Sequence, residues 1–426
     1  MLQALLCSSC ADIIDIDWHI YKLDKGSPST ENDFPSTCTS SDNLDEVDDA
    51  CAVFASATAA AGGDGTKAKP YASLAEAIEK ANGKRVLACS IGAFSGSVTI
   101  RTAVEVIGGF DCNAGWTWSA EAQSTLEGDA NKPALTLTKG ASGAKLRSFK
   151  VVAANATEPS GSSIGVAVDD IDAEFARVDV VAGDGMDGEN GETPAAAADG
   201  ASAPNDVSNA CVGTVYGGLP GVTTCEDGET SGGVGGLGGK PDTEDGNGQK
   251  GQDGTPIPAE NPDGNGLGGA GQFVSQSNCA RGKDGALGTH GEPGDPGIDT
   301  ALTLAGPTGG DGKHGTAGTR GQGGGGGGGA KAGQFCAAGV GTFADGVGAS
   351  GGGGGAGGCG GKAGTGGKAG GSSIGLLSLG TKLVLTDVTV SVGKAGNGGV
   401  GGDGSPGGFG GMGANGGTRV AVSGSI

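Results

Sequence analysis

The chain has 426 residues, 96 of them glycine and 16 proline, with 48 Asp and Glu against 26 Lys and Arg, for a formal net charge of −22. That charge argues against nucleic acid, because phosphate binding needs clustered Lys and Arg, and the proline content excludes collagen, which needs roughly 15–20%. No segment reaches the ~18 apolar residues of a membrane-spanning helix.

Residues 1–50 are acidic and rich in Ser and Thr and read as a leader without a core of its own. Their opening, MLQALLCSSC, reads either as a plain N-terminus or as the remnant of a secretory signal. Over 51–84 the chain predicts a short strand at Val53–Ala55, a Gly-Asp-Gly-Thr turn and a helix. Ser73 is the N-cap and Glu76 completes a capping box. Leu74, Ala77, Ile78 and Ala81 share one face of that helix. Arg85–Cys89 is the next strand, and β-branched runs broken by Gly, Asn and Asp continue to residue 182.

Aligning these runs places Ala134 over Ile164, Leu146 over Phe175 and Val151 over Val180, a period of about 29–30 residues and the mark of a solenoid. Alternation puts Leu135, Leu137, Ile164, Val166, Val168, Val178 and Val180 inside. The expected fold is all-β, a right-handed parallel β-helix with a short capping helix and a long Gly-rich insertion, polyproline-II-like or disordered. A β-sandwich is the alternative.

A resemblance points the same way. Gly65, Thr66, Pro70, Tyr71 and Ser73 occupy the places of a G-T-x-x-x-P-[FY]-x-[ST] turn. This stretch resembles the entry to the β-helix of pectin-lyase-like proteins, especially the secreted families grouped under DUF1565, and acidic, Gly-rich relatives of this kind are similar to proteins of myxobacteria. The resemblance implies secretion and a fold that often hosts polysaccharide lyases and hydrolases.

From 183 to 371 glycine recurs every third residue, for example at Gly282, Gly285, Gly288, Gly291, Gly294 and Gly297. That period suits a threefold extended helix without internal hydrogen bonds, whereas the heptaglycine run 323–329 reads as flexible linker. The phrase GSSIG at Gly161 returns at Gly371, a shift of 371 − 161 = 210. The expectation is that 372–393 returns to the structure left at 182, with 394–426 a second Gly-rich segment and terminal strand; two independent modules are the alternative.

Eleven cysteines favour an oxidising compartment, extracellular or at the outer cell surface. Loop spacing pairs Cys211 with Cys225, Cys38 with Cys51, and Cys89 with Cys112. Asp169, Asp170 and Asp172 form the densest acidic cluster and are the candidate Ca²⁺ ligands, although Leu379, Gly380 and Lys382 replace them in the second copy, so a solvated turn is the preferred reading. Trp116 and Trp118 are the candidate sugar-stacking pair, with loop packing the plainer role. His19, His290 and His314 lie too far apart in sequence for ligand spacing. No catalytic residue and no required cofactor emerge. The functional expectation is a noncatalytic extracellular or cell-envelope protein of adhesion or matrix contact, with polysaccharide or other envelope components as partners. A Ca-dependent polysaccharide lyase or glycoside hydrolase is the alternative, and ice binding a third reading.

Overall fold

The computed structural model describes residues 48–243, 245–274, 278–298, 300–339, 341–380 and 382–419. They divide into two compact units, one comprising residues up to Asn190 with Pro296–Gly312 and Gly367–Val400, the other Gly191–Asp295, Lys313–Gly366 and the chain from Gly401.

The first unit is built on two sheets. The larger has nine strands, and its parallel path runs Ala52–Ala55, Arg85–Cys89, Glu105–Asp111, Ala144–Val152, Asp172–Val181 and Lys382–Ser391. The smaller has four parallel strands in the order Ser373–Ser378, Ser163–Val168, Leu135–Leu137 and Val98–Ile100. Both contribute to one apolar cluster that includes Val86, Val106, Leu135, Leu146, Phe149, Val166, Phe175 and Val180. Burying each large side chain stabilises by about 1.5–3 kcal/mol relative to exposure, which is why the β-branched and aromatic positions of these runs face inward. The helix Leu74–Glu79 forms where its cap predicts, with the Ser73 hydroxyl accepting from the Glu76 amide at 3.3 Å, and it buries Leu74, Ala77 and Ile78.

The predicted right-handed parallel β-helix is not what forms. The strands make several separate sheets, parallel and antiparallel, with no closed solenoid among the described residues. A solenoid needs one repeat length, and the strands along the main path begin at 52, 85, 105, 144, 172 and 382, separations of 33, 20, 39, 28 and 210. Thr117–Trp118 turns back antiparallel onto Glu105–Asp111, and three further hairpins stand in sheets of their own. The alternation also fails at one predicted core residue. Gly165 faces inward, where a Cβ would lie 2.3 Å from Val180, and this resets the strand so that Ile164 packs with Ala167, Ile374 and Leu377 in a separate cluster.

The two GSSIG phrases lie side by side. Ser163 pairs with Ser373 and Ile164 with Ile374, and in the larger sheet Phe175 pairs with Leu385 and Val180 with Val390. The excursion therefore ends on the sheets it left. Beyond the strands the offset persists: the side chains of Asp184, Asp187 and Asn190 accept from the amides of Lys394, Asn397 and Val400.

The second unit is an array of extended glycine-rich segments. Hydrogen bonds between neighbours recur every third residue, as in Gly402, Gly408, Gly411 and Ala414 donating to Thr365, Cys359, Ala356 and Gly353. In this unit positive φ occurs at Gly228, Gly246, Gly264, Gly266 and Gly341, and the glycines of 282–294, 315–329, 348–366 and 401–417 are outside the left-handed region. This is the behaviour of threefold extended helices, whose amides and carbonyls point outward to partners. The heptaglycine 323–329, which reads as linker in the sequence, is instead densely connected. Its amides donate to three neighbours: Gly323 and Gly326 to Thr255 and Gln252, Gly324 and Gly327 to Gly355 and Gly352, and Gly325 and Gly328 to Lys283 and Ala280. Its carbonyls serve two more, Gly324 and Gly327 accepting from Gly233 and Gly236, and Gly326 and Gly329 from Gly269 and Gln272. A peripheral segment needs glycine only on its packed side. A segment surrounded on almost every side needs it at most positions, and a Cβ at Gly323, Gly325, Gly326, Gly328 or Gly329 would come within 2.2 Å of neighbouring backbone.

Candidate functional site

The acidic cluster does not converge. The Asp169 carboxylate accepts from the adjacent Asp170 amide at 2.9 Å, and Asp172 is an exposed strand residue paired with Lys382. Among the described residues no group of three His, Cys, Asp or Glu side chains is placed to hold a metal ion. Trp116 is 4% exposed, packed edge-on to Phe54 with ring centroids 4.7 Å apart, so it has no face to offer a sugar. Trp118 donates from Nε1 to the Gly108 carbonyl at 3.2 Å, and the Arg177 guanidinium lies 4.6 Å from its ring centre. The His314 Nδ1 accepts from the Gly366 amide at 3.3 Å, His290 is exposed, and His19 lies outside the described residues.

Cys89–Cys112 forms as the spacing suggests. The pairing of Cys211 with Cys225 is corrected: Cys211 bonds Cys336 and Cys225 bonds Cys359, because the hairpin Val222–Cys225/Gly228–Ser231 and the segments beyond it bring distant residues closer than sequence neighbours. Cys51 is disulfide-bonded and Cys38 lies outside the described residues. Cys279 is a free, exposed thiol. Three such disulfides are compatible with an extracellular protein, and among the described residues no helix is long and apolar enough to cross a membrane.

A buried ionic group lies on the larger sheet, where Glu105 sits 3.4 Å from the Arg147 Nε and 4.0 Å from the Arg85 Nε, with Lys145 and Glu174 beyond. Burial pushes the Glu105 carboxyl above its ordinary range, and the arginines offset that only in part. Glu105 and Arg85 are each 6% exposed, which suits a structural ion cluster without access for a substrate.

The open feature is a cleft in the glycine array, of about 1560 Å³, lined by four segments at 279–294, 313–328, 351–366 and 401–416. Each segment spans 16 residues, about 50 Å of extended chain at a rise of ~3.1 Å per residue. Its lining is mostly glycine, with Arg281, Lys283, Glu292, Lys313, Lys362 and Asp403 among its charged residues. The sequence hides this cleft, because glycines that touch a neighbour and glycines that face open space carry the same period. A second feature that sequence reasoning misses is the acceptor ladder: in this unit Thr193, Asp199, Ser202 and Asn205 take the amides of Asp403, Phe409, Met412 and Asn415. Its signal is there in retrospect, short polar residues in phase with the glycines.

No protein-family model, no curated protein and no solved structure matches the chain.

Proposed function

We propose that the protein is a noncatalytic structural component of the extracellular space or cell envelope, mediating contact with matrix or surface material. The observation that carries this reading is how the second unit uses its polar groups. Backbone amides and carbonyls link segment to segment every third residue, and the short polar side chains are consumed as acceptors in the same lattice. Catalysis needs polar groups held free and convergent for a substrate; here they are spent on rigidity. Disulfides spanning 125 and 134 residues fasten the array, as suits an oxidising compartment.

The test pairs two measurements on the purified, oxidised protein. Incubation with acidic and neutral polysaccharides plus Ca²⁺ should release no new reducing ends or unsaturated products. Co-sedimentation with insoluble envelope and matrix polysaccharides should show saturable retention. Cleavage that disappears in an Asp169→Ala, Asp170→Ala, Asp172→Ala variant would overturn the reading in favour of an enzyme.

A further inference from the structure

The hydrogen bonds of the second unit define a hexagonal arrangement, in which an interior segment has six lateral neighbours. Segment 351–366 has five where 218–221 and 233–236 reach it, at Gly351–Gly354. Its carbonyls bond 315–327, 402–417 and 218–221, and its amides bond 192–201 and 233–236, as in Gly354 to Gly233 and Cys359 to Ala198. The amides of Gly353, Gly360 and Ala363 have no acceptor among the described residues, and neither does a regular row, Gly352, Gly355, Gly358, Gly361 and Gly364, of which all but Gly361 are buried. The row recurs every third residue and points between 313–328 and 401–416. The Gly361 nitrogen is 3.4 Å from where a Cβ of Gly318 would lie and 3.6 Å from that of Gly407.

The neighbouring wall supplies the complementary row. The carbonyls of Gly324, Gly326, Gly327 and Gly329 each lie against the Cα of one neighbour and accept from the amide of the next. The Gly324 carbonyl lies against Gly354 and accepts from Gly233, and the Gly326 carbonyl lies against Gly251 and accepts from Gly269. The carbonyls of Gln322 and Gly325 lie against Gly285 and Gly282, but the next position is the cleft and no amide of the described residues stands there. These donors and acceptors are bonded to no protein group, so a ligand bearing the complementary row would exchange solvent for direct hydrogen bonds along the channel.

The glycines facing this channel add an independent observation. A Cβ on Gly321, Gly324 or Gly327 would meet nothing closer than 3.4 Å, and on Gly410 nothing closer than 3.7 Å. Nothing in the protein requires glycine there, although glycine loses more backbone freedom on ordering than alanine does. A ligand that approaches the backbone as closely as the other neighbours do would require it.

We propose that the cleft is a docking site for an extended segment of another polypeptide with glycine at every third residue, which completes the sixth neighbour of 351–366. A threefold peptide matches both rows at once, its carbonyls meeting the free amides and its amides the free carbonyls. A proline-rich chain lacks the donors. We assign the occupant to another protein because the glycine runs of the described residues are already bonded into the array.

The probe is a synthetic (Gly-Asn-Ser)n peptide of about 18 residues, titrated calorimetrically against the full oxidised chain, with (Ala-Asn-Ser)n of equal length as control. Saturable binding is expected for the glycine peptide and at least about tenfold weaker binding for the alanine peptide. A Gly324→Ala, Gly327→Ala, Gly410→Ala variant should keep its circular dichroism and lose at least about tenfold in affinity. Independently of any variant, the amides of Gly352, Gly355 and Gly358 should gain hydrogen-exchange protection when the glycine peptide is added. Absence of saturation, equal binding of the two peptides, undiminished binding by the folded variant or unchanged protection would each overturn the proposal, as would self-association of the chain that the same three substitutions abolish.

Discussion

Two glycines two residues apart in the heptaglycine should respond oppositely to the same substitution. A Cβ on Gly326 would lie 2.2 Å from the Val234 carbonyl oxygen, whereas one on Gly324 would meet nothing closer than 3.7 Å. Ordinary contact begins near 3.4 Å, so Gly326→Ala must move 231–239 away by 3.4 − 2.2 = 1.2 Å. The bonds from Gly233 to Gly324 and from Gly236 to Gly327, each 2.8 Å, would stretch to about 4.0 Å and fail. Two buried donor–acceptor pairs left unmade cost about 2–6 kcal/mol together. Gly324→Ala disturbs none of this, and its backbone is outside the left-handed region, so it should stabilise by about 0.4–1 kcal/mol by restricting the unfolded chain. Guanidinium unfolding of the oxidised protein, followed by circular dichroism, reads both as midpoint shifts. Equal shifts, or a larger loss for Gly324→Ala, would refute the packing argument.

Removing the long-range staple with Cys359→Ser opens a loop of 134 residues and should cost about 2–4 kcal/mol, read in the same unfolding assay, and adding reductant to the wild type, which also opens the other disulfides, should cost more. Trp116→Ala empties a sealed site against Phe54 and Phe110 and should cost about 3–5 kcal/mol while leaving any polysaccharide retention unchanged. Asp311 is held below its ordinary value of 3.8, first by the Ala369 amide and then by Lys368. Its contribution is therefore present above that value and lost as pH falls through the lower folded one, so the stability gap between wild type and Asp311→Asn should be open at neutral pH and close in acid. Glu105 runs the other way. Its raised folded value means its contribution is full below 4.5 and declines as pH rises, so a Glu105→Gln variant should show a flatter stability profile on the alkaline side of that value.

Local signals are legible where they concern a single element. Ser73 announces its cap, Leu146 and Val151 their partners Phe175 and Val180, and the 210-residue offset the pairing of both late strands. What misleads is inferring closure from that alignment, since three matched pairs define a register but the strands before Ala134 keep no common spacing. Ile164 departs from the alternation because one inward glycine resets it. Proximity in sequence pairs Cys211 with Cys225, whereas the array folds each onto a segment more than a hundred residues away. The heptaglycine misleads for a general reason. Absence of side chains signals slack when a segment is alone and crowding when it is surrounded, and composition is identical in both cases.

The constant offset of 210 is divisible by three, and this restricts how the polypeptide could grow. A single-residue insertion inside a paired strand of the first unit would invert its faces beyond that point, and one inside an extended segment of the second would dephase its amide row. Added length is tolerated only at the tips joining consecutive segments, or as whole extra passes laid on the outside. Size variants of such a molecule should therefore differ in increments of complete rods, with the lattice spacing conserved and the perimeter free to change.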